Sequence, residues 1–257
     1  MPYKSYGVEG KRALITGGNR GIGLATARLF VERGANVCVV ARTESTLKSS
    51  GISNCIAADL STEEGCVHTI SKAKELLGGS IDILICNHGI GSANEKPLFE
   101  TNVNDWKQSM AVNINGPFYL TRLIMPSMIE NKFGRIVYTS STAALEAEPS
   151  AVGYNTSKAA LCGLMRSVAQ DGGVYNVTAN AVLPGWVKTE MAEKSAMTEA
   201  TKRNITVEQV WTERAALYPA KRVVNPEEVA HTILFLASEE SSGVSGESIR
   251  VSGGCPW

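Results

Sequence analysis

One stretch, residues 12–33, constrains this 257-residue chain more than any other. A short apolar run, Arg12-Ala13-Leu14-Ile15-Thr16, leads directly into Gly17-Gly18-Asn19-Arg20-Gly21-Ile22-Gly23. Residues 24–33 then carry apolar side chains at helical spacing. Strand, glycine turn and helix in direct succession form the setting a phosphate-binding loop requires. Glycine permits the tight turn and lets the backbone approach a pyrophosphate, and the helix start offers N–H groups at the positive end of its dipole. Such a segment can also be a plain turn. Its place at the first strand-to-helix junction favours a nucleotide.

The same alternation continues along the chain. Residues 36–41 are apolar throughout, as a parallel strand covered on both faces would be. Residues 54–58 read as a third strand ending at Asp59-Leu60, and Ser61-Thr62-Glu63-Glu64 opens a helix that Gly78-Gly79 stops. A fourth strand, 81–86, runs into Asn87-His88-Gly89. A helical region from Asp105 carries Asn113 and continues over 117–129. A fifth strand, 134–139, delivers Ser140 and Ser141 at its C-terminal end. A helix over 153–171, a sixth strand over 177–182, a late helix over 226–237 with Asn225 as its N-cap, and a last strand over 247–251 complete the series. With no linker, repeat or low-complexity segment, residues 1–257 read as one α/β domain, a doubly wound parallel sheet whose ligand site lies at the C-terminal strand ends.

Two further segments carry chemistry. Ser141 precedes Tyr154 by thirteen positions and Lys158 follows it by four. If Tyr154 begins a helix, the phenol and the amine share one face. A phenol titrates near pH 10, and an adjacent ammonium favours its phenolate, so the pair is expected to act as an acid/base tuned toward neutral pH. At the end of the second strand, an NAD site places an acid to hold the ribose 2′-hydroxyl. Here Ala41 and Arg42 stand there, and Arg20 lies in the glycine loop. Two guanidiniums without a carboxylate suit a 2′-phosphate, so NADP is expected over NAD.

Composition excludes other classes. Twenty-five basic and twenty-five acidic residues give a formal net charge of zero, so no electrostatic pull toward nucleic acid or a membrane surface is expected. No apolar run reaches the length of a transmembrane span, and residues 1–12 have no apolar signal core, which predicts a cytoplasmic protein. The six cysteines form no C-x-x-C pair and read as reduced thiols. His68, His88 and His231 are scattered, and no metal is expected.

Taken together, these segments resemble the short-chain dehydrogenase/reductase family, in its compact branch of about 250 residues, over nearly the whole chain. The loop Thr16-Gly17-x-x-x-Gly21-Ile22-Gly23 looks like the family's cofactor loop, and Asn87-His88-Gly89 is similar to its Asn-Ala-Gly element. Asn113, Ser141, Tyr154 and Lys158 look like its catalytic tetrad, and Pro184-Gly185-Trp186-Val187-x-Thr189 like its nicotinamide-side segment. The family's interval selects Ser141 over Ser140. The resemblance implies a single Rossmann-type domain of about seven strands with helices on both faces. It also implies hydride exchange between NADP and a small-molecule carbonyl/alcohol pair.

The roles it implies are specific. Tyr154 would exchange the proton, Ser141 would hold the substrate oxygen, Lys158 would lower the phenol pKa and hold the nicotinamide ribose, and Asn113 would hold a relay water. Gly17, Asn19, Arg20, Gly21, Ile22, Gly23, Arg42, Asp59, Leu60, Asn87, Gly89, Pro184, Gly185, Val187 and Thr189 would bind the cofactor together with Tyr154 and Lys158. Homotetramer, or homodimer, is the state the resemblance implies. His88 stands where a small residue is common, and packing is favoured for it over substrate contact. A nucleotide-binding protein without redox activity, and a lyase or isomerase on the same scaffold, stay open as alternatives.

Residues 190–222 interrupt the strand–helix alternation just after Val187 and Thr189. Long connections in compact domains are often lids. Val207, Val210 and Trp211 share one helical face, which is expected to cover substrate or else to pack on the core or another subunit.

Overall fold

Seven strands, Arg12–Thr16 (β1), Asn36–Ala41 (β2), Asn54–Ala57 (β3), Ile83–Cys86 (β4), Gly134–Thr139 (β5), Val177–Pro184 (β6) and Ser248–Val251 (β7), pair in parallel in the order β3-β2-β1-β4-β5-β6-β7. The computed structural model describes residues 7–91 and 96–255. Residues 1–6, part of the stretch read above as lacking a signal core, lie outside the described residues. The chain winds outward from β1 to β3, then returns to the other side of β1 with β4. The β1/β4 boundary is therefore the switch point where loops leave in opposite directions and a crevice opens.

Helices cover both faces because the central strands are mostly apolar on both sides and must be shielded from water on each. On one face lie Glu63–Leu77 (α3), Gly116–Glu130 (α5) and Val152–Gly172 (α6), packed on a cluster that includes Leu84, Leu120, Ile136 and Leu161. On the other lie Gly21–Glu32 (α1) and Pro226–Ala237 (α9), which close over Ile15, Phe30, Ile85 and Ile233. Asn225 and Glu228 cap α9 reciprocally, and Pro226 sits in its first turn. Between them in the chain come Glu44–Lys48 (α2), Val103–Met110 (α4), Glu190–Arg203 (α7) and Val207–Ala216 (α8).

Several boundaries differ from expectation. β6 continues to Pro184 because β7 pairs with it through Val251, a partner that local sequence does not reveal. The short α2 was not read from the sequence. Asn113 sits not in regular α-helix but in a π turn over Ala111–Asn115, between α4 and α5. Such turns bulge the backbone and re-aim a side chain. The long connection forms a helical hairpin, α7 and α8, with its own small cluster of Ala196, Ala200 and Val210, flanked by Ile205, Val207 and Trp211. The apolar face expected to cover substrate thus packs on α7, because the alanines there leave a groove that it fills.

The glycine loop depends on close backbone approach. Gly17 has φ +63° and Gly21 φ +52°, both in the left-handed region. A Cβ on Gly23 would overlap the Gly17 carbonyl oxygen and lie 2.5 Å from Asn87 Nδ2. Gly23→Ala is expected to cost about 1–3 kcal/mol through overpacking, lowering Tm by roughly 3–10 °C in thermal unfolding. An unchanged Tm would show that the loop can shift freely.

Candidate active site

A cleft of about 920 Å³ opens at the C-terminal strand ends and runs from the glycine loop to α7. Every site residue expected from the sequence lines it except Gly23 and Asn113, which stand behind its wall. At one end the first turn of α1 has no side-chain cap and no acidic residue. Its N–H groups and dipole therefore remain available to a phosphate. The crowding at Gly23 and the two left-handed glycines make this a loop that only glycine can build, as a pyrophosphate cradle requires. These features fit a dinucleotide. Beside the loop, Asn19 donates to Thr46 Oγ1 at 2.8 Å, and no acid ends β2. Arg42 is exposed on the cleft. Arg20 Nη1 lies 3.2 Å from Glu190 Oε2 at the start of α7, both side chains being about half exposed or more.

At the other end, β5 delivers Ser140 and Ser141 and α6 delivers Tyr154 and Lys158. Ser140 Oγ donates to the Lys158 carbonyl at 2.8 Å and so turns away from the cleft. Ser141 Oγ accepts from Ala143 N at 3.1 Å and shares a side-chain hydrogen bond with Tyr154. Lys158 Nζ donates to the Thr139 carbonyl at 2.9 Å and lies 5.6 Å from the Tyr154 ring centre. Burial pushes Lys158 down to about 8. Burial likewise pushes the Tyr154 phenol up to about 12, with the Ser141 hydrogen bond pulling it back and Glu148 adding to the rise. The expected lowering by the ammonium is therefore not what this structure shows: desolvation outweighs it.

Asn113 makes three side-chain hydrogen bonds. Its Oδ1 accepts from Ile90 N at 2.9 Å, and its Nδ2 donates to the Ile90 carbonyl at 3.0 Å and to Ser157 Oγ at 2.9 Å. The side chain whose expected role is to hold a water also holds the loop after β4 against α6.

Three participants were missed. Buried Thr16 Oγ1 accepts from the backbone N–H groups of Asn87 and His88, joining the ends of β1 and β4. Buried Arg214 stacks on the Trp186 ring at 3.6 Å and donates to Ser195 Oγ and Glu199 Oε2, fixing the hairpin to the end of β6. Tyr218 lines the cleft and its hydroxyl accepts from Trp186 N. Arg214 follows Val207 by seven positions, so helical spacing places it on the buried face; its charge hid that signal.

His88 lines the cleft and packs on Thr16. Its Nδ1 lies 2.7 Å from Thr16 Oγ1, while Nε2 is enclosed without a geometric hydrogen-bond partner among the described residues. Burial, and then the Lys158 charge, hold its pKa down at about 4. Between about pH 4 and an unfolded value near 6.5 the unfolded chain binds the extra proton, so stability falls as pH falls through that window. Urea unfolding at pH 7 and pH 4.5 is expected to show His88→Ala losing less stability on acidification than the parent, by on the order of 2 kcal/mol. Equal losses would show that His88 is already protonated in the fold.

Among the described residues, no helix is long and apolar enough to cross a membrane, and no group of three or more His, Cys, Asp or Glu could hold a metal. A family model described as enoyl-(acyl carrier protein) reductase matches residues 17–256. A curated Thermotoga maritima protein described as an uncharacterized oxidoreductase is 33% identical, with 96% of each chain covered. The 3-oxoacyl-[acyl-carrier-protein] reductase of Rickettsia conorii is 34% identical over 96% of this chain and 97% of its own. The ligand-free aldohexose dehydrogenase of Thermoplasma acidophilum superposes with a TM-score of 0.89 at 29% identity, covering 98% of this chain and 96% of its own. A levodione reductase superposes with a TM-score of 0.90 at 25% identity, covering 97% and 98%. With the parallel sheet, the glycine loop and the Ser141–Tyr154–Lys158 arrangement already in place, these matches mean that the chain belongs to the short-chain dehydrogenase/reductase family of oxidoreductases.

Proposed function

We propose that this protein is an NADP(H)-dependent carbonyl reductase that interconverts a ketone and a secondary alcohol. The observation that carries the reading is one cleft with an uncapped glycine-loop helix at one end and the Ser141–Tyr154 pair beside buried Lys158 at the other. The relatives agree in chemistry by name, since 3-oxoacyl and levodione reductases reduce carbonyls and an aldohexose dehydrogenase oxidises a sugar.

The glycine loop and the N–H groups of α1 would hold the pyrophosphate, and Arg20 and Arg42 a 2′-phosphate. Asp59, Leu60, Asn87, Gly89, Pro184, Gly185, Val187 and Thr189 would line the remaining cofactor path. When bound, the cofactor supplies the hydride. Ser141 donates a hydrogen bond to the substrate oxygen, and Tyr154 gives that oxygen its proton. A phenol raised to about 12 is protonated at neutral pH, which suits proton delivery and hence the direction of carbonyl reduction. The Lys158 ammonium, anchored on the Thr139 carbonyl, stabilises the phenolate left behind.

Tyr154→Phe is expected to cut turnover by about two to four orders of magnitude while leaving cofactor affinity, read by fluorescence titration, nearly unchanged. Parent-like turnover would reject this role for Tyr154.

NADPH is expected to bind more tightly than NADH. Replacing Arg20 or Arg42 with Ala should weaken NADPH by roughly 1.5–3 kcal/mol, the worth of a charge-assisted hydrogen bond, and leave NADH alone. Equal affinities in the parent would show that both guanidiniums serve solvent and Glu190 instead.

A further inference from the structure

Pro117 leaves a backbone acceptor without its helical donor in the π turn over Ala111–Asn115. Gly116 donates its N–H to the Ala111 carbonyl, one residue further back than in an α-helix. The donor that would follow in this register, for the Val112 carbonyl, is residue 117, and a proline has no N–H. The His88 ring stands at this spot. A Cβ on Gly116 would lie 2.8 Å from His88 Nε2, so the ring edge abuts the junction of the π turn and α5. A backbone hydrogen bond to Val112 acts on the ring, and Nε2 is otherwise enclosed without a partner among the described residues. On the ring's other side, Nδ1 lies 2.7 Å from Thr16 Oγ1. That oxygen accepts from the N–H groups of Asn87 and His88, which occupies both of its lone pairs. Its single proton is left for Nδ1, which is nearer than the Ile85 carbonyl at 3.1 Å. Nδ1 is then bare, and the ring hydrogen sits on Nε2, beside the carbonyl that Pro117 leaves open.

We propose that His88 is a positioning residue that works as a neutral Nε2–H imidazole, accepting the Thr16 hydroxyl proton at Nδ1 and donating its own to the Val112 carbonyl. The bridge runs from the end of β1 to the π turn. That turn aims Asn113, whose amide ties Ile90 to Ser157 on α6, between Tyr154 and Lys158. His88 therefore acts on the acid/base helix through Asn113 and exchanges no proton with substrate. A doubly protonated ring could not do this, because its Nδ1–H would face an oxygen whose lone pairs are already taken. The charged groups that reach the ring are Lys158 on α6 and Asp59 past β3, and they oppose each other. Burial sides with Lys158 and keeps the ring neutral. The tautomer follows from the geometry alone, whereas its effect on turnover rests on the carbonyl-reductase reading.

Nitrogen-15 NMR of the ligand-free protein, labelled at histidine, reads the tautomer directly. Nε2 of His88 is expected to carry the hydrogen and Nδ1 to be bare, unchanged from about pH 7.5 to about pH 5.5. A hydrogen on Nδ1, or a ring that gains a second proton within that range, overturns the inference. Two substitutions then separate the two ends of the bridge. His88→Gln keeps an N–H at the ε position for Val112, whereas His88→Asn places its amide at the δ position, within reach of Thr16 only. Hydrogen exchange at the Ile90 amide, which Asn113 Oδ1 holds, is expected to quicken roughly tenfold or more in His88→Asn and to stay near the parent in His88→Gln. With NADPH and 2,3-butanedione, kcat should fall roughly tenfold to a hundredfold in His88→Asn and be largely restored in His88→Gln, with KM for NADPH moving less. Parent-like exchange in His88→Asn, or equal losses in both variants, overturns the inference. If no carbonyl compound is reduced at all, the carbonyl-reductase reading fails, and the NMR and exchange measurements still decide whether His88 forms the bridge.

Discussion

The amide of Asn113 uses both of its ends at once. Oδ1 and Nδ2 take the N–H and C=O of Ile90, and Nδ2 reaches on to Ser157. Ile90 continues from the β4 end that forms the floor of the cleft, and Ser157 lies on α6 between Tyr154 and Lys158. One buried side chain thus ties the cofactor end of the cleft to the acid/base helix. The π turn over Ala111–Asn115 aims it there, at the cost of an interrupted helical ladder. Because the partners are mostly backbone atoms, whose positions the sheet dictates, the distance between the two halves of the site is set by fold geometry and not by surface side chains.

A second constraint is the scarcity of water around the reacting groups. Lys158 is buried and Tyr154 half-buried at the cleft wall, and burial shifts each toward its neutral form: the phenol up to about 12, the ammonium down to about 8. A cation so near its own neutral form at pH 7 responds strongly to any negative charge placed beside it. The Thr139 carbonyl already accepts one of its protons, and the Gly89 backbone comes close to it. Lys158 is thereby poised to answer a change of charge on Tyr154, which an exposed lysine, screened by solvent, could not do as well.

Much of this was legible because it is written in local patterns. Apolar strand runs, the glycines at 17, 21 and 23, and the Ser141–Tyr154–Lys158 spacing each follow from contacts within a few residues or one helical turn. What escaped depends on distant partners. The Arg20–Glu190 ion pair spans 170 positions, and the extension of β6 needs β7. The Tyr154 shift is a tertiary property, since burial cannot be counted from a tetrapeptide. The face of Val207, Val210 and Trp211 was legible as apolar, but its packing partner was not, because the alanine groove of α7 that receives it lies across a turn.

The α7–α8 hairpin carries its own small cluster of Ala196, Ala200 and Val210, apart from the two clusters that flank the sheet. It joins the rest chiefly through Arg214 on Trp186 and Tyr218 on the same backbone. That makes it energetically a module. Substitutions within it draw on a separate reserve of stability and leave the sheet untouched. One wall of the cleft can therefore change, and with it the range of molecules admitted, while the glycine loop and the Ser141–Tyr154–Lys158 arrangement keep their places on the sheet.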